Sequence, residues 1–342
     1  MRRRERAGAG GSGREQASGQ ADGPGPEASG AQPVWAAPSV LQFPLPSSSG
    51  VLGPLAGTDA LSEPPTPALA PRAVRPSAPA CSRPLPPAPV WYLWIDQPRP
   101  GFLNMAIDET LLRLAEADGS GFLRLYGWAP ACLSFGRHEP ALRRYSRSRI
   151  EDRGIDTVRR PTGGRAVWHH IELTYAVAAP ADRFGPLGET HVAIHRTLAD
   201  AVSGLGVAAT LAPAPDRPAG IERGACFSAS AGGEVMVGGH KVIGSAQVRT
   251  RTAFLQHGSL LLGGDQHTVA DLADGPTPAG AEAALDRLLG RQVGFAEMAE
   301  RVALAARAWR GEWHPIARGD VILEHAAGLA DAYRSERWTW CR

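Results

Sequence analysis

Seventeen of the 30 prolines of this 342-residue chain fall within its first 90 residues, with no helical or strand spacing among them. Each proline fixes φ and removes a backbone donor. A run such as Pro84-Leu85-Pro86-Pro87 therefore propagates neither a helix nor a sheet ladder. Such a segment buries too little apolar surface to offset the entropy of ordering it. The expectation is a disordered Pro/Gly/Ala/Ser-rich tail over residues 1–90 and one folded domain over residues 91–342. A Pro-rich ligand for a partner is one alternative for the tail. A transit peptide is another, and Glu5, Glu15, Asp22 and Glu27 count against it.

The rest of the composition excludes several classes. In residues 91–342, 28 basic side chains face 28 acidic ones, which argues against a nucleic-acid partner. No apolar run reaches the roughly 18 residues that span a bilayer, so no membrane role is expected. The start, with Arg2, Arg3, Arg4 and Arg6, runs into Gly, Ser and Gln rather than the apolar stretch of a secretory signal. Cys81, Cys132, Cys226 and Cys341 lack C-x-x-C spacing, which argues against a zinc site or a disulfide framework and for a reducing, cytoplasmic setting. Among 36 basic residues 35 are Arg, and Lys241 is the single Lys. A GC-rich coding bias accounts for the scarcity but not for the one position that keeps a compact ammonium, which Arg does not replace.

Periodicity places strands at Trp91–Ile95, Phe122–Trp128, Cys132–Phe135, Ala166–His169 and Leu173–Ala178. Asn104 is expected to cap a helix running to Ala117, with Asp108 and Glu109 in its first turn. One short helix is expected over Arg143–Arg153 and a longer one over Gly188–Gly204. Strands Glu234–Val237, Lys241–Arg249 and Ala253–Leu262 follow, with a Gly238-Gly239 turn after the first. Residues 280–311 and 322–336 look helical. Strands and helices mix without regular βαβ alternation, which indicates an α+β domain.

Four stretches carry chemistry-bearing residues. In Arg159-Arg160-Pro161-Thr162-Gly163-Gly164-Arg165-Ala166, the paired glycines let backbone N–H groups approach a ligand, and the guanidiniums suit an anionic group. The plainer alternative is a solvated hairpin. In Gly239-His240-Lys241-Val242-Ile243-Gly244-Ser245-Ala246-Gln247, two-residue alternation puts Lys241, Ile243, Ser245 and Gln247 on one face. The alternative is an exposed turn lysine. Gln256-His257-Gly258-Ser259 lies in an apolar strand, where a histidine is commonly a hydrogen-bonded core group. Cys226, between Gly224 and Ser228, is either a small buried hydrophobe or a reachable thiol that a nearby ammonium would favour as thiolate.

Taken together with Asn104-Met105-Ala106-Ile107-Asp108-Glu109 and Glu172-Leu173-Thr174-Tyr175, these motifs resemble the lipoate–protein ligase, octanoyltransferase and biotin ligase superfamily. The resemblance runs from about Trp91 to Trp340. Cys226-Phe227 followed by Glu234 is most similar to the Gram-positive type of octanoyltransferase, whose nucleophile is a cysteine in that stretch. Departures are His170, where an acidic residue is frequent, and the Gly/Ala-rich stretch Ala229–Gly233. The resemblance implies mixed, mainly antiparallel sheets with flanking helices. It implies an acyltransferase that moves octanoyl from octanoyl-acyl carrier protein through a Cys226 thioester to the lysine of a lipoyl carrier protein, the glycine cleavage H protein or an E2 domain. Lys241 would be catalytic beside Cys226. Arg160, Thr162, Gly163, Gly164, Arg165, Ala166, His169, Gly244, Ser245, Ala246, Gln256, His257 and Gly258 would bind substrate, with Arg160 and Arg165 steering acidic carriers. No metal or cofactor is required in that reading, and the enzyme is expected to be a monomer. The alternative is a lipoate ligase using ATP and Mg²⁺, with Cys226 structural.

Overall fold

The computed structural model describes residues 88–213, 232–275 and 282–341. Cys81 and Cys226 lie outside the described residues. The first part runs β1 (Val90–Ile95), α1 (Gly101–Asp118), β2 (Gly121–Tyr126), β3 (Cys132–Phe135), α2 (Ala141–Arg144), α3 (Arg147–Asp152), β4 (Asp156–Arg159) and β5 (Val167–His169). Then come β6 (Glu172–Pro180), α4 (Leu187–Ser203), β7 (Ala209–Leu211), β8 (Val235–Val237), β9 (His240–Lys241), β10 (Ile243–Arg249) and β11 (Ala253–Leu261). The last part holds α5 (His267–Leu272), α6 (Leu285–Leu289), α7 (Phe295–Ala306), β12 (Glu312–Pro315), α8 (Gly319–Arg334) and α9 (Glu336–Thr339).

A six-stranded sheet in the order β10-β11-β6-β2-β1-β12 organises these elements. It is antiparallel from β10 to β2 and parallel across β2, β1 and β12. Residues directly opposite in neighbouring strands share a face, so the register sorts the side chains. Leu123, Tyr175, Val177, Phe254 and Ile243 pack under α4 and α7 with Ile194, Leu198, Met298 and Val302. Phe122, Tyr126, Ala176, Ala178 and Leu255 pack under α1 and α8 with Met105, Ile107, Leu111, Ile322 and Tyr333. Two smaller sheets, β4-β3-β5 and β7-β8-β9, complete the α+β architecture.

One polar knot crosses the α1 side. Arg124, in the middle of an apolar strand, has no solvent exposure. Its Nε and Nη2 donate to Asp96 Oδ2 at 3.1 and 2.8 Å. Nη1 donates to Asp108 Oδ1 at 2.9 Å and to the Asn104 carbonyl at 3.3 Å, and Nη2 also donates to Asn104 Oδ1 at 2.7 Å. These five bonds match the five donors of a guanidinium. Arg99 adds a second positive charge on Asp96, at 2.8 Å. The two carboxylates are thereby neutralised where solvation is lost.

This knot corrects the expected role of Asn104. The helix begins at Gly101, and Asn104 lies inside it, buried. Its amide donates to the carbonyls of Arg99 and Gly127, both at 3.1 Å. The signal read as a cap is thus a clamp between helix and sheet. Tyr145 divides the expected Arg143–Arg153 helix into α2 and α3, with the Ser146 side chain capping α3. Residues 280–311 give two helices rather than one, because Gly290 takes a left-handed φ of 65° after α6. The expected strand Lys241–Arg249 is also broken. Val242 belongs to neither β9 nor β10, so Lys241 sits in a small sheet and Ile243–Arg249 in the large one. The alternation from Lys241 to Gln247 is therefore not continuous.

Arg124→Met is expected to lower unfolding stability by about 3–5 kcal/mol, since it leaves the buried Asp108 carboxylate without its guanidinium and Asp96 with Arg99 alone. Urea unfolding of wild type and variant measures it, and a loss below about 1 kcal/mol would contradict this account of the knot.

Candidate active site

A narrow cleft lies on the α1 side of the large sheet, reaching from the β10 edge toward α1, with a void of about 310 Å³ that includes open solvent at its mouth. Gly244, Ser245 and Ala246 of β10 line one end, and His257, Gly258 and Ser259 of β11 come next. Thr174 of β6 and Tyr126 of β2 continue it, with Trp128 and Met105 beside them. Arg160, Val167 and His169 roof it. Among these, only Ser245 and Ala246 are half-exposed, so the cavity reaches the surface at the edge strand.

Two buried networks hold the walls. His257 Nδ1 is 2.9 Å from Asp108 Oδ2, which also accepts from the Tyr126 hydroxyl at 2.8 Å. An ionised carboxylate only accepts, so Nδ1 carries the hydrogen. Nε2 shares a hydrogen bond with the Thr162 hydroxyl, 2.6 Å away. The knot at Arg124 is in this way continuous with the Gly163-Gly164 loop. The second network centres on Glu172. Its Oε1 lies 2.8 Å from His169 Nδ1 and accepts from Ser259 at 2.9 Å and from Thr174. His169 Nε2 takes the Ser134 hydroxyl at 2.5 Å, and its ring stacks on Trp128 at 3.9 Å. Burial pushes the His169 pKa down, so its imidazole is neutral at the cavity wall.

The opposite face of β10 and β11 carries a third network. Gln256 donates to the Tyr175 hydroxyl, and Ser245 Oγ stands 2.7 Å from that hydroxyl and 2.8 Å from His195 Nε2. His195 Nδ1 donates to the Gly233 carbonyl at 2.7 Å. Each hydroxyl passes its hydrogen on toward Gly233, which requires a neutral His195. Burial, then the neighbouring His191, lowers its pKa to about 3.

Lys241 borders this third network. Its Nζ is 2.5 Å from Glu234 Oε1, and its side chain is 3% exposed. The carboxylate takes one of three ammonium donors and fixes the direction of the head group. Residues 212 and 233–234, which flank the segment carrying Cys226, are tied together: Ala212 N donates to Glu234 O at 2.7 Å, and Gly233 N to Ala212 O at 2.8 Å. Cys226 is six residues from Gly232, a chain reach of at most about 22 Å.

The sequence model described as lipoyl protein ligase A/B catalytic domain matches residues 100–307, more than half of the chain. This chain belongs to that family. Similar lipoyl-ligase-family proteins include Octanoyltransferase LipM of Exiguobacterium sibiricum, 35% identical over 263 residues, covering 70% of this chain and 94% of that protein. Octanoyltransferase LipM of Symbiobacterium thermophilum is 38% identical over 233 residues, covering 62% and 84%. Among solved structures, lipoate-protein ligase A bound with ATP superposes with a TM-score of 0.61 at 19% identity, covering 73% of this chain and 98% of that one. A putative lipoate protein ligase from T. acidophilum gives 0.60, also at 19% identity, covering 73% and 99%. At that identity the likeness establishes the shared fold.

Within this lipoyl-ligase-family domain, the structure gathers Arg160, His169, Gly244, Ser245, Ala246, His257 and Gly258 around one cavity. Gln256 is next to His257 in β11 and so faces the other way, toward Tyr175 and Gln247. Thr162 stands behind His257. Gly164, with φ 88°, is exposed, Gly163 and Arg165 are half-buried, and Ala166 packs in the core of the small β4-β3-β5 sheet. Arg160 corrects the steering role expected for it. It is 4% exposed and donates to the Ser134, Gly163 and Arg165 carbonyls, which fastens the glycine loop from within. Met105 and Thr174 stood inside quoted motifs without an assigned role, and Tyr126 and Trp128 stood in no motif. Nor did Arg124, although an arginine inside the apolar run Phe122–Trp128 was the available signal.

His195 gives a pH-dependent prediction. Its folded pKa lies below the unfolded value, so its stabilisation is full above about pH 6.5 and is lost as pH falls toward 3. Between pH 6 and 5 wild type is expected to lose about 1 kcal/mol more than His195→Gln, whose amide supplies one donor and one acceptor without titrating. Urea unfolding at each pH measures the difference, and parallel curves would contradict it.

Proposed function

We propose that this protein is an octanoyltransferase. It takes an octanoyl group from octanoyl-acyl carrier protein, carries it as a Cys226 thioester, and passes it to the target lysine of a lipoyl carrier protein. The glycine cleavage H protein and dehydrogenase E2 domains are the proposed acceptors, and the cytoplasm the proposed compartment. The observation that carries this reading is the 35% identity to Octanoyltransferase LipM across 94% of that protein's length. The apolar cavity opening on the edge strand that follows Lys241 supports it. No helix among the described residues is long and apolar enough to cross a membrane.

In the proposed chemistry the Cys226 thiolate attacks the donor carbonyl. The old carbon–sulfur bond breaks, and the carrier thiol leaves with a proton. The acceptor amine then attacks the enzyme thioester and gives up a proton to solvent, which offsets the one the carrier thiol took; Cys226 departs as thiolate, and an amide remains. The first exchange is nearly balanced, and amide formation draws it forward. The donor arrives already activated, so this route consumes no ATP. Lys241 brings positive charge toward the oxyanion that forms at each attack, a contribution of roughly 3–4 kcal/mol. Glu234 holds that ammonium in direction. The ATP-dependent ligase reading rests on fold neighbours at 19% identity, and none of the relatives described above favours it.

The test incubates the full chain with an apo lipoyl carrier protein and octanoyl-acyl carrier protein, without ATP, and weighs the acceptor. One octanoyl adduct is expected. Cys226→Ala should abolish it, and Lys241→Met should slow it about 10²- to 10³-fold. An adduct that forms only from lipoate with ATP, and that survives Cys226→Ala, would overturn the proposal.

A further inference from the structure

The cavity has a direction, and its closed end is built from one helix residue and two aromatics. Its lining passes through β10, β11, β6 and β2, neighbours in that order. Three interstrand gaps make the path about 14 Å long. At the β10 end the lining is small, with buried Gly244 and half-exposed Ser245 and Ala246. At the β2 end it is bulky and closed. Tyr126 and Met105 have no exposure, and Trp128 has 6%.

The aromatics are pinned. The Tyr126 hydroxyl donates to Asp108, the Trp128 indole donates to Thr174 at 2.7 Å, and the Trp128 ring stacks on His169. Neither yields without breaking a buried hydrogen bond. Met105 has no such bond to lose. It is unbranched and projects from α1, whose position the Asn104 and Asp108 contacts with Arg124 set. Its thioether is therefore the adjustable part of the closed end.

We infer that Met105, backed by Tyr126 and Trp128, sets the length of acyl chain this enzyme accepts. This rests on the octanoyltransferase reading and deepens it: the preferred substrate class is a saturated, unbranched medium-chain acyl thioester whose last methyl group meets the Met105 side chain. A longer chain presses on packed aromatics. A shorter one leaves an apolar gap that no water fills well. Polar or charged tails are excluded, because the closed end offers no unused donor to receive them: both aromatic donors are already engaged.

The experiment offers the full chain acyl-carrier-protein thioesters of six, eight, ten and twelve carbons with an apo lipoyl carrier protein, and measures each rate by acceptor mass. Wild type is expected to favour eight carbons. Met105→Ala, which removes three heavy atoms, should raise the ten-to-eight rate ratio at least tenfold, since two added methylenes gain burial of about that worth. Met105→Phe should move the preference toward six carbons, and Met105→Leu, of similar volume, should keep it at eight. A rate ratio is insensitive to how much of a variant is folded, and Met105→Phe carries the test if Met105→Ala does not fold. An active wild type whose ratios stay within twofold in both Met105→Ala and Met105→Phe would overturn the inference and leave the octanoyltransferase reading standing. A wild type that transfers no acyl chain of any length would overturn both.

Discussion

A guanidinium buried in the sheet holds this molecule in register. Arg124 sits where solvation is absent, and the carboxylates of Asp96 and Asp108 hold it charged despite that burial. The knot joins β1, α1 and β2, and through Asp108 it reaches the ring of His257 in β11. His257 in turn is hydrogen-bonded to the Thr162 hydroxyl at the foot of the glycine loop. One charge arrangement thus sets the helix on the sheet, chooses a histidine tautomer and seats the loop that roofs the cavity. The order of dependence runs from electrostatics to packing to site.

The two faces of the sheet divide the labour at β10 and β11. Because direction alternates residue by residue, His257 and Ser259 serve the cavity while Gln256 serves the network that ends at His195 and Gly233. Gly258 lies between them. A methyl group there would meet the Tyr175 ring at 2.9 Å and collide with Ser245 and the Gly244 carbonyl. Glycine therefore lets the edge strand lie close over β11. The break at Val242 turns the chain from the small sheet into the large one, which leaves Lys241 two residues before β10 begins.

Much of this was legible in the sequence, and the failures have physical causes. Strands with strong apolar runs, such as Leu173–Ala178 and Ala253–Leu262, were read nearly at their observed limits because burial on both faces leaves no other use for them. Asn104 misled because Asn is a good cap in isolation, and only the tertiary contact with Arg124 turns it inward. The Lys241–Arg249 strand was over-extended because alternation continues in a sequence even where the chain changes sheets. Arg160 looked like a surface charge, since nothing local reveals that the Ser134, Gly163 and Arg165 carbonyls converge on it. β7 and β12, of three and four residues, were missed because so short a stretch carries no period. The motif order itself pointed to the right family, since each motif serves the same cavity wall or the lysine beside it.

The account turns on which side of the large sheet receives the fatty chain. A crystal structure of the octanoylated protein would decide this in one measurement. Electron density for the acyl chain should enter at Ser245 and Ala246, pass under His257, and end against Met105 and Trp128. Density on the opposite face, among Tyr175, Gln256 and His195, would contradict the account.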